Sequence, residues 1–235
     1  MQRTREAAIS TPHPAGSRNS LLAAMKKSDL DFINNKASQV NVPAGSVLEK
    51  PHEPIEAVFF PETGVFSVDG TTRSGFSMQI AMIGREGVTG TTLVLGNASS
   101  MHATVVHAEA LAWKLSAQNF RLLLSKSLSA RNSLLHYTGV LAGQVASAAL
   151  ASGRSTIPER LARWILQMHS RSDQMSFEAT QDMIASIIGV RRQGITAALQ
   201  NFERDNLIVP SRGKIEVLDQ DGLMAASGGS YRDGD

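Results

Sequence analysis

The stretch TQDMIASIIGVRRQGITAALQNFE, from Thr180 to Glu203, predicts two short helices joined by a tight turn. Thr180 can cap the first helix, because its hydroxyl can accept a hydrogen bond from an otherwise unpaired backbone N–H. Gly189 stands where the turn needs a left-handed residue at low cost. Apolar residues recur at helical spacing on the inner face of the pair: Met183, Ile184, Ile187, Ile188, Ile195, Leu199 and Phe202. This pattern is typical of a helix-turn-helix, whose second helix enters the DNA major groove.

Two smaller features of the same stretch agree with this interpretation. Ala185 is small where the two helices would cross, and Val190 follows the turn as a predicted buried anchor. The opposite face of the second helix is polar and basic, with Arg192, Gln193, Thr196 and Gln200. The alternative is an ordinary helical hairpin. We favour the helix-turn-helix because the small residue, the turn glycine, the apolar stripe and the basic face all point to it.

The residues after this stretch predict a small β-hairpin. Residues 206–209 (NLIV) indicate a helix end followed by a strand, and residues 210–213 (PSRG) are a turn signal. Residues 214–218 (KIEVL) alternate like a second strand. A helix-turn-helix followed by a hairpin is a winged helix. Arg212 and Lys214 on the wing are placed to meet phosphates, which position a protein on DNA without reading its sequence.

At this point the chain resembles a known family. Residues 180–223 are similar to the DNA-binding domain of the Crp/Fnr superfamily of bacterial transcription regulators. The resemblance rests on T-Q-x-x-x-A-x-x-x-G-V-x-R from Thr180, L-x-x-F-E from Leu199, L-I at Leu207 and R-G-x-I at Arg212. It implies a dimeric, sequence-specific DNA-binding regulator without enzymatic activity, whose partners are palindromic double-stranded DNA, a second copy of the chain and RNA polymerase.

Residues 40–115 have a different pattern, with short alternating segments separated by turn signals. The predicted strands are 47–50, 57–60, 65–69, 76–83, 104–107 and 110–115. Many short strands at regular spacing predict an antiparallel jelly roll. The segments 43–48 (PAGSVL), 58–61 (VFFP) and 113–115 (WKL) resemble the cyclic-nucleotide-binding-type β-roll of the same superfamily. Residues 60–65 (FPETGV) with 84–88 (GREGV) resemble a subgroup that lacks the usual nucleotide site.

The ligand of this β-roll is left open by the sequence. Relatives that bind cyclic nucleotides hold the phosphate with a glycine–glutamate turn and a following arginine beside a small hydroxyl residue. Here the turn is residues 83–90, but residues 99–104 (SSMHAT) contain no arginine. The candidate effector residues are Gly84, Arg85, Glu86, Gly87, Thr89 and His102. The glycines are expected to serve tight turns, and a cAMP- or cGMP-responsive regulator is the alternative. No certain cofactor is predicted, and three forms of control stay open: an unknown small-molecule effector in the β-roll, a partner protein, or constitutive binding without an effector.

Four further helices are predicted, at 21–32 with Ser20 as a cap, 117–124, 129–152 and 157–169. In the third, residues recur at alternating spacings of four and three, which is typical of a coiled-coil seam. The members are Leu134, Thr138, Leu141, Val145, Ala148 and Ser152. The resemblance favours a long dimerisation helix, with Leu134, Leu141, Val145 and Ala148 as the predicted contacts. The alternative is packing of this helix against its own β-roll.

The predicted fold class is therefore α+β, with an N-terminal antiparallel β-roll of the cyclic-nucleotide-binding type, a long dimerisation helix and a C-terminal winged helix-turn-helix. The predicted divisions are a disordered tail at 1–20, the β-roll at 21–127, the dimerisation helix at 128–153, the DNA-binding domain at 154–224 and a flexible tail at 225–235. The first 20 residues have a composition that can mimic a transit peptide, but a tail is favoured. Nine Lys or Arg and six Asp or Glu give residues 154–214 a net charge of +3.

Composition excludes several classes of function. The chain has no cysteine, which excludes disulfides, cysteine zinc sites and cysteine-ligated iron–sulfur clusters. No apolar run is expected to span a membrane, so the cytoplasm is the expected compartment. A metal-dependent cupin-like enzyme is the alternative of a different class. It needs His-x-His and a following Glu, whereas Thr104 stands where the second histidine should follow His102. We therefore predict no metal and no catalytic residues.

Roles on the DNA-binding surface follow from side-chain chemistry. The predicted contacts are Thr180, Arg191, Arg192, Gln193, Thr196, Gln200, Arg212 and Lys214. Arg192 is the leading base reader, because its guanidinium can bind guanine bidentately, and the amide of Gln193 suits adenine. Arg191, Thr196 and Arg212 are expected to touch phosphates. Family members often carry arginine, glutamate and arginine where this chain has Arg192, Gln193 and Ala197. A dimeric scaffold whose winged helix binds protein is a further alternative.

Overall fold

A computed structural model describes residues 16–172 and 176–231. The helices are α1 (Ser20–Ala23), α2 (Lys27–Asn34), α3 (Thr91–Val94), α4 (Ala117–Lys126), α5 (Leu128–Arg154), α6 (Ile157–Arg171), α7 (Gln181–Ile188), α8 (Arg192–Arg204) and α9 (Gln220–Ala226). The strands are β1 (Ser38–Val42), β2 (Val47–Glu49), β3 (Ala57–Pro61), β4 (Phe66–Thr71), β5 (Ser77–Ile83), β6 (Ala103–Val106), β7 (Ala110–Ser116), β8 (Ser176–Glu178), β9 (Ile208–Ser211) and β10 (Lys214–Val217).

These elements group into two compact units. The first unit contains the described residues up to Ser67 together with Ile83–Gly139. The second contains Val68–Met82 and the described residues from Val140 onward. The division therefore falls within α5. The predicted class, antiparallel sheets followed by a long helix and a C-terminal helix-turn-helix, is confirmed.

Antiparallel pairing builds separate sheets, of which β1, β7 and β3 form one while β2 and β6 belong to another. β7 lies between β1 and β3, with Val40 opposite Ala112 and Phe60 opposite Trp113. β2 pairs with β6, and the register shifts between Val47 and Glu49. The six predicted strands are present with ends that differ by up to two residues. β1 was not predicted, because its sequence SQVNV is too polar to stand out before its pairing with β7 is known.

Aromatic side chains fill the core of the first unit. Phe60 packs edge-on against Phe120, with ring centroids 6.4 Å apart. Trp113 is buried, and its indole N–H donates to the Glu62 carboxylate over 2.8 Å. Full burial of such side chains stabilises a fold by about 2–3 kcal/mol each. Leu134 of α5 belongs to the same core, so the beginning of this helix is anchored in the first unit.

The single helix predicted at 21–32 is wrong, since α1 and α2 are separate. Asn19, rather than Ser20, caps α1, because its side-chain oxygen accepts from the backbone N–H of Leu22 over 3.0 Å. The same amide donates to the backbone carbonyls of Pro61 and Gly87. These long-range bonds fix where α1 begins, and no sequence pattern shows them. Residues 16–20 of the predicted tail thus include an ordered cap, while residues 1–15 lie outside the described residues.

Helix α5 corrects the expectation about membrane spans. Its 27 residues include an 18-residue window with a mean hydropathy of 1.2, which meets the length and composition of a membrane-spanning helix. Within the described residues 28% of this window is buried, so packing in the chain accounts for part of the apolar content. Leu134 and Tyr137 are buried in the core of the first unit, and in the second unit the buried Gln144 accepts a hydrogen bond from the backbone N–H of Met82.

The second unit contains the helix-turn-helix and its wing. α6 begins with a capping box, in which Thr156 and Glu159 satisfy each other's backbone N–H groups. β10 lies between β8 and β9, with Ile215 opposite Phe177 and Pro210. β8 has three residues, too few to show a period in the sequence.

The end of the described chain is helical beyond the predicted boundary at residue 224. Asp219 caps α9 by accepting from the backbone N–H of Gly222 over 2.9 Å. Leu223 is fully buried, and Ser227, which follows the helix, is 1% exposed. Part of the predicted tail at 225–235 is therefore packed, while residues 232–235 lie outside the described residues.

Candidate DNA-binding surface

The turn between α7 and α8 has the geometry that the sequence predicted. The Thr180 side chain accepts from the backbone N–H of Met183 over 3.2 Å and so caps α7. Gly189 is left-handed, with φ of +73°, and its N–H bonds to the carbonyl of Ala185 over 2.9 Å. The Arg160 guanidinium of α6 also donates to the Ile188 carbonyl at this helix end. Burial lowers the pKa of Arg160 below its ordinary value.

The apolar faces of the two helices are buried as predicted, with small exceptions. The buried members are Ile184, Ala185, Ile188, Ile195, Leu199 and Phe202. Met183 and Ile187 are half-buried, and Val190, the predicted buried anchor, is also only half-buried. This packing fixes the rotation of α8 about its axis, which decides the residues that face outward.

The outward face of α8 is polar. Arg191, Arg192, Gln193 and Gln200 are exposed, and Thr196 is half-buried. This exposure leaves the planar donors of the two arginines and the amides of the two glutamines in reach of a duplex. These are the side chains suited to base edges and phosphates.

Two contacts from α7 hold this face, and the sequence analysis named neither partner. The Arg192 guanidinium lies 3.1 Å from the Asp182 carboxylate. The Thr196 hydroxyl donates to the side-chain oxygen of Gln181 over 2.7 Å. Asp182 and Gln181 are in the first turn of α7, where an acidic residue is also favourable for the helix dipole. Sequence spacing carries no signal for contacts between the two helices.

Gly194 has a packing role that the sequence did not reveal. A Cβ atom at this position would lie 2.7 Å from the Cδ1 atom of Ile157, at the start of α6. Real Cβ contacts are not that short, so α8 approaches α6 more closely than alanine would allow without movement of Ile157. The atom approached is the end of a flexible side chain, so the contact favours glycine only by the cost of moving it, against about 1 kcal/mol of helix propensity.

The wing places two basic residues beside the start of α7. Arg212 and Lys214 are exposed on either side of Gly213, which is left-handed with φ of +74°. The Gly213 carbonyl accepts from the backbone N–H of Ala179 over 2.8 Å, one residue before Thr180. Thr180, Arg212 and Lys214 therefore lie close together, as a phosphate-contacting group requires.

The predicted effector turn of the first unit is occupied by contacts within the chain. The Gly87 N–H donates to the Gly84 carbonyl over 3.0 Å, and the Gly84 N–H donates to the Glu86 carboxylate over 3.1 Å. The Arg85 carbonyl accepts from the backbone N–H of Ser20 over 2.7 Å. A Cβ atom on Gly87 would overlap the Tyr137 ring. These contacts support a turn-forming role for the glycines.

The other two effector candidates also face the chain itself. Thr89 is 1% exposed, and its hydroxyl accepts from the backbone N–H of Phe59 over 3.0 Å. The half-buried His102 has its backbone N–H and carbonyl bonded to the Ser100 hydroxyl. Within residues 16–172 and 176–231, no group of three or more His, Asp or Glu side chains is arranged to hold a metal ion.

The structure separates the predicted dimerisation residues into two kinds. Leu134 is fully buried and Leu141 is 8% exposed within this chain, and both stay predictions as dimer contacts. Val145 is exposed and Ala148 half-buried, and these two stay predictions. The exposed row on α5 follows the predicted seam at an offset of one residue. It consists of Leu135, Gly139, Ala142, Ala146, Ala149 and Gly153, which we call the α5 outer row.

The family model described as the Crp-like helix-turn-helix domain matches residues 159–226. The solved structure of FixK2 from Bradyrhizobium japonicum has a TM-score of 0.70 at 16% identity, covering 81% of this chain and 96% of that one. TTHB099, a CRP family transcriptional regulator from Thermus thermophilus, has a TM-score of 0.66 at 14% identity, covering 80% and 96%. The c-di-GMP responsive regulator CLP of Xanthomonas campestris has a TM-score of 0.65 at 12% identity, covering 83% and 100%.

No curated protein matches the chain by sequence. At identities of 12–16% the solved structures establish the fold, while the family model establishes the nature of the C-terminal domain. Residues 159–226 therefore form a Crp-like helix-turn-helix domain, and the chain as a whole has the fold of the Crp/Fnr transcription regulators.

Proposed function

We propose that this protein is a homodimeric, sequence-specific DNA-binding transcription regulator. The observation that carries the proposal is the outward face of α8, where Arg191, Arg192, Gln193 and Gln200 are exposed on a helix fixed by its packing on α7. Two such helices related by two-fold symmetry enter successive major grooves of a palindromic site, with half-sites about one helical turn apart.

Residue roles follow from position on this face. Arg192 and Gln193, in the first turn of α8, are the base readers, because the first residues of a recognition helix reach deepest into the groove. Arg191 and Thr196 flank them, and Gln200 lies one turn beyond Thr196. Thr180, Arg212 and Lys214, on the cap and the wing, bind the phosphate backbone.

The α5 outer row supports the proposed dimer. Its small residues leave the helix backbone open, and a Cβ atom added at Gly139 or Gly153 would have no neighbour within 4 Å. Beside the row, Leu128 and Leu150 are each 71% exposed. A second copy of α5 placed against this face would bury these leucines and form a seam with coiled-coil spacing.

Location and partners follow from this role. A DNA-binding regulator of this fold acts on the chromosome, so the proposed compartment is the cytoplasm, and RNA polymerase is the proposed protein partner. The cyclic-nucleotide-responsive alternative is disfavoured, because the glycine turn at residues 84–87 is bonded to its own chain.

Selection of bound sequences from a random pool of duplexes, at a defined salt concentration and without added ligand, tests the proposal. We expect enrichment of a motif with two-fold symmetry. Enrichment of a single half-site would contradict the dimer, and the absence of any enriched motif both with ligand-free protein and with cell extract would reject sequence-specific binding. A protein-binding scaffold is supported instead if binding to duplexes does not change with salt.

A further inference from the structure

Glu49 is a carboxyl group inside the first unit. It stands at the end of β2, and its side chain is 8% exposed. Among the described residues, burial and hydrogen bonds shift the pKa of Glu49, and no ion pair contributes. A buried carboxyl costs several kcal/mol in desolvation unless such bonds offset it. An apolar or amide side chain of similar size would avoid most of this cost.

Neutral polar groups surround the two oxygens of Glu49. The backbone N–H of Gly90 donates to Oε1 over 2.5 Å, and the Thr104 hydroxyl donates to Oε2 over 3.2 Å. The Thr89 hydroxyl also bonds to the carboxyl, and beside it lies the Ser100 hydroxyl, whose proton is donated to the His102 carbonyl over 2.8 Å. Thr89, Ser100 and Thr104 are themselves 1–5% exposed. We call this arrangement, Thr89, Gly90, Ser100 and Thr104, the donor cradle.

The donor cradle has the chemistry of an anion site. Backbone N–H groups and hydroxyls that point to one spot are how proteins bind phosphate or carboxylate oxygens without a cation. Thr89 and Gly90 close the turn at residues 83–90, while Ser100 and Thr104 belong to residues 99–104. These are the two segments that stand where nucleotide-binding relatives hold a phosphate, and here both donate to a side chain of the same protein.

We propose that Glu49 is the built-in occupant of the donor cradle, and that its carboxyl group excludes phosphate- or carboxylate-bearing effectors, cyclic nucleotides included, from the first unit. The donors are already satisfied, so an incoming anion would have to displace Glu49 and leave it buried without partners. This inference concerns ligand selection in the first unit and is independent of DNA binding, so its failure would leave the proposed function untouched.

Isothermal titration calorimetry of the full-length protein with cAMP, cGMP and inorganic phosphate provides the first test. We expect no saturable heat up to millimolar ligand. If either nucleotide binds saturably and this binding is lost in Glu49→Gln or Thr104→Val, the nucleotide binds in the first unit. That result would overturn the proposal that Glu49 excludes it.

The second test removes the occupant. Glu49→Ala should lower Tm, and acetate or formate at constant ionic strength should restore part of the loss. At a concentration of 100 times Kd, a ligand of the native state raises Tm by about 5–10 °C in a protein of this size. Glu53→Ala removes an exposed carboxylate four residues further along the chain. The Tm of this variant and of wild type should not rise in acetate.

An equal response to acetate in all three proteins would overturn the proposal. If Glu49→Ala does not fold, Glu49→Ser shortens the side chain and keeps a polar group at the position. If the serine variant refolds better in acetate than in chloride at the same ionic strength, the result supports an opened anion site. Refolding that is the same in both salts overturns it.

Discussion

The guanidinium of Arg192 lies 3.1 Å from the carboxylate of Asp182, in an ion pair that links the first turns of α7 and α8. Both side chains are well exposed, at 62% and 71%, so the pair contributes about 0–1 kcal/mol to stability. In the free protein this weak pair orients Arg192 toward Asp182. Binding of Arg192 to a base requires this weak pair to open.

We expect Arg192→Ala to weaken binding to the selected duplex by about 1–3 kcal/mol and to relax preference at one base pair, because a bidentate contact to guanine is lost. Competition binding against duplexes with each base at that position measures both effects. Equal weakening for every sequence would instead assign Arg192 to a phosphate.

The partner of this pair supplies the matched control. Asp182→Asn removes an acidic side chain beside the proposed groove and frees Arg192, so affinity should rise while base preference is kept. Asp205→Asn removes another exposed carboxylate, paired with Arg204 at the far end of α8, and should have a smaller effect. If both asparagine variants act alike, general charge and not the release of Arg192 explains the gain.

On the wing, Arg212→Ala should reduce the slope of log K against log salt by about one, with base preference unchanged. The physical reason is the loss of one phosphate contact and of the counterion that it releases. Titrations at several salt concentrations, on the selected site and on unrelated duplex, provide the measurement. A shift in base preference would contradict the assignment.

In Gly194→Ala, the higher helix propensity of alanine is opposed by the contact of its Cβ atom with Ile157. Alanine gains about 1 kcal/mol in a helix interior, but its Cβ would press on Ile157 at 2.7 Å. We expect little or no gain in the free energy of unfolding in wild type, and a gain of about 1 kcal/mol in an Ile157→Ala background. Denaturant unfolding of the four proteins gives this double-mutant cycle. Equal gains in both backgrounds would refute the packing role of Gly194.

The α5 outer row gives a test of dimerisation. Ala142→Glu places a charge at the centre of the proposed seam and should convert the dimer to monomer, with loss of binding to the palindromic site but not of folding. Sedimentation equilibrium measures the mass. His136→Glu adds the same charge at an exposed position of α5 outside the row and should leave the dimer intact. If Ala142→Glu is still a dimer, the dimer interface lies on another surface.

The burial of Glu49 predicts a pH dependence of stability. Burial raises the pKa of Glu49 above its ordinary value of 4.5, against the opposing hydrogen bonds. The folded protein therefore keeps a proton on Glu49 that the unfolded chain has already lost. Relative to Glu49→Gln, the stability of wild type should fall as pH rises from about 4.5 through the raised pKa and then level off. The loss is about 1.4 kcal/mol for each pH unit that separates the folded pKa from the unfolded one. Parallel curves for the two proteins would contradict this.

Much of the DNA-binding surface was predictable from sequence because its constraints are local. Thr180 and Gly189 act on helix ends within a few residues, and the apolar stripe from Ile184 to Phe202 repeats at the helical period. Helix caps and the helical period both involve residues a few positions apart, so the spacing of residue types is sufficient to show them. The polar face of α8 follows once the apolar face is known.

The seam predicted on α5 shows what periodicity leaves open. Spacing of four and three recurs in both the predicted seam and the α5 outer row, because neighbouring rows of one helix share the same period. The choice between them depends on what α5 packs against in its own chain. Leu134 enters the core beside Phe120, which turns Leu135 and Ala142 outward.

The sequence by itself determined the fold class, the turn chemistry and the residue types on the recognition helix, since these arise from local propensity and hydrophobic period. Tertiary structure alone decided that Gly194 accommodates Ile157, that Arg192 is held by Asp182, and that Glu49 lies among Gly90, Ser100 and Thr104. The physical reason is the same in each case: these contacts join residues from different elements of the chain, and their energy depends on distances of a few tenths of an ångström that only packing sets.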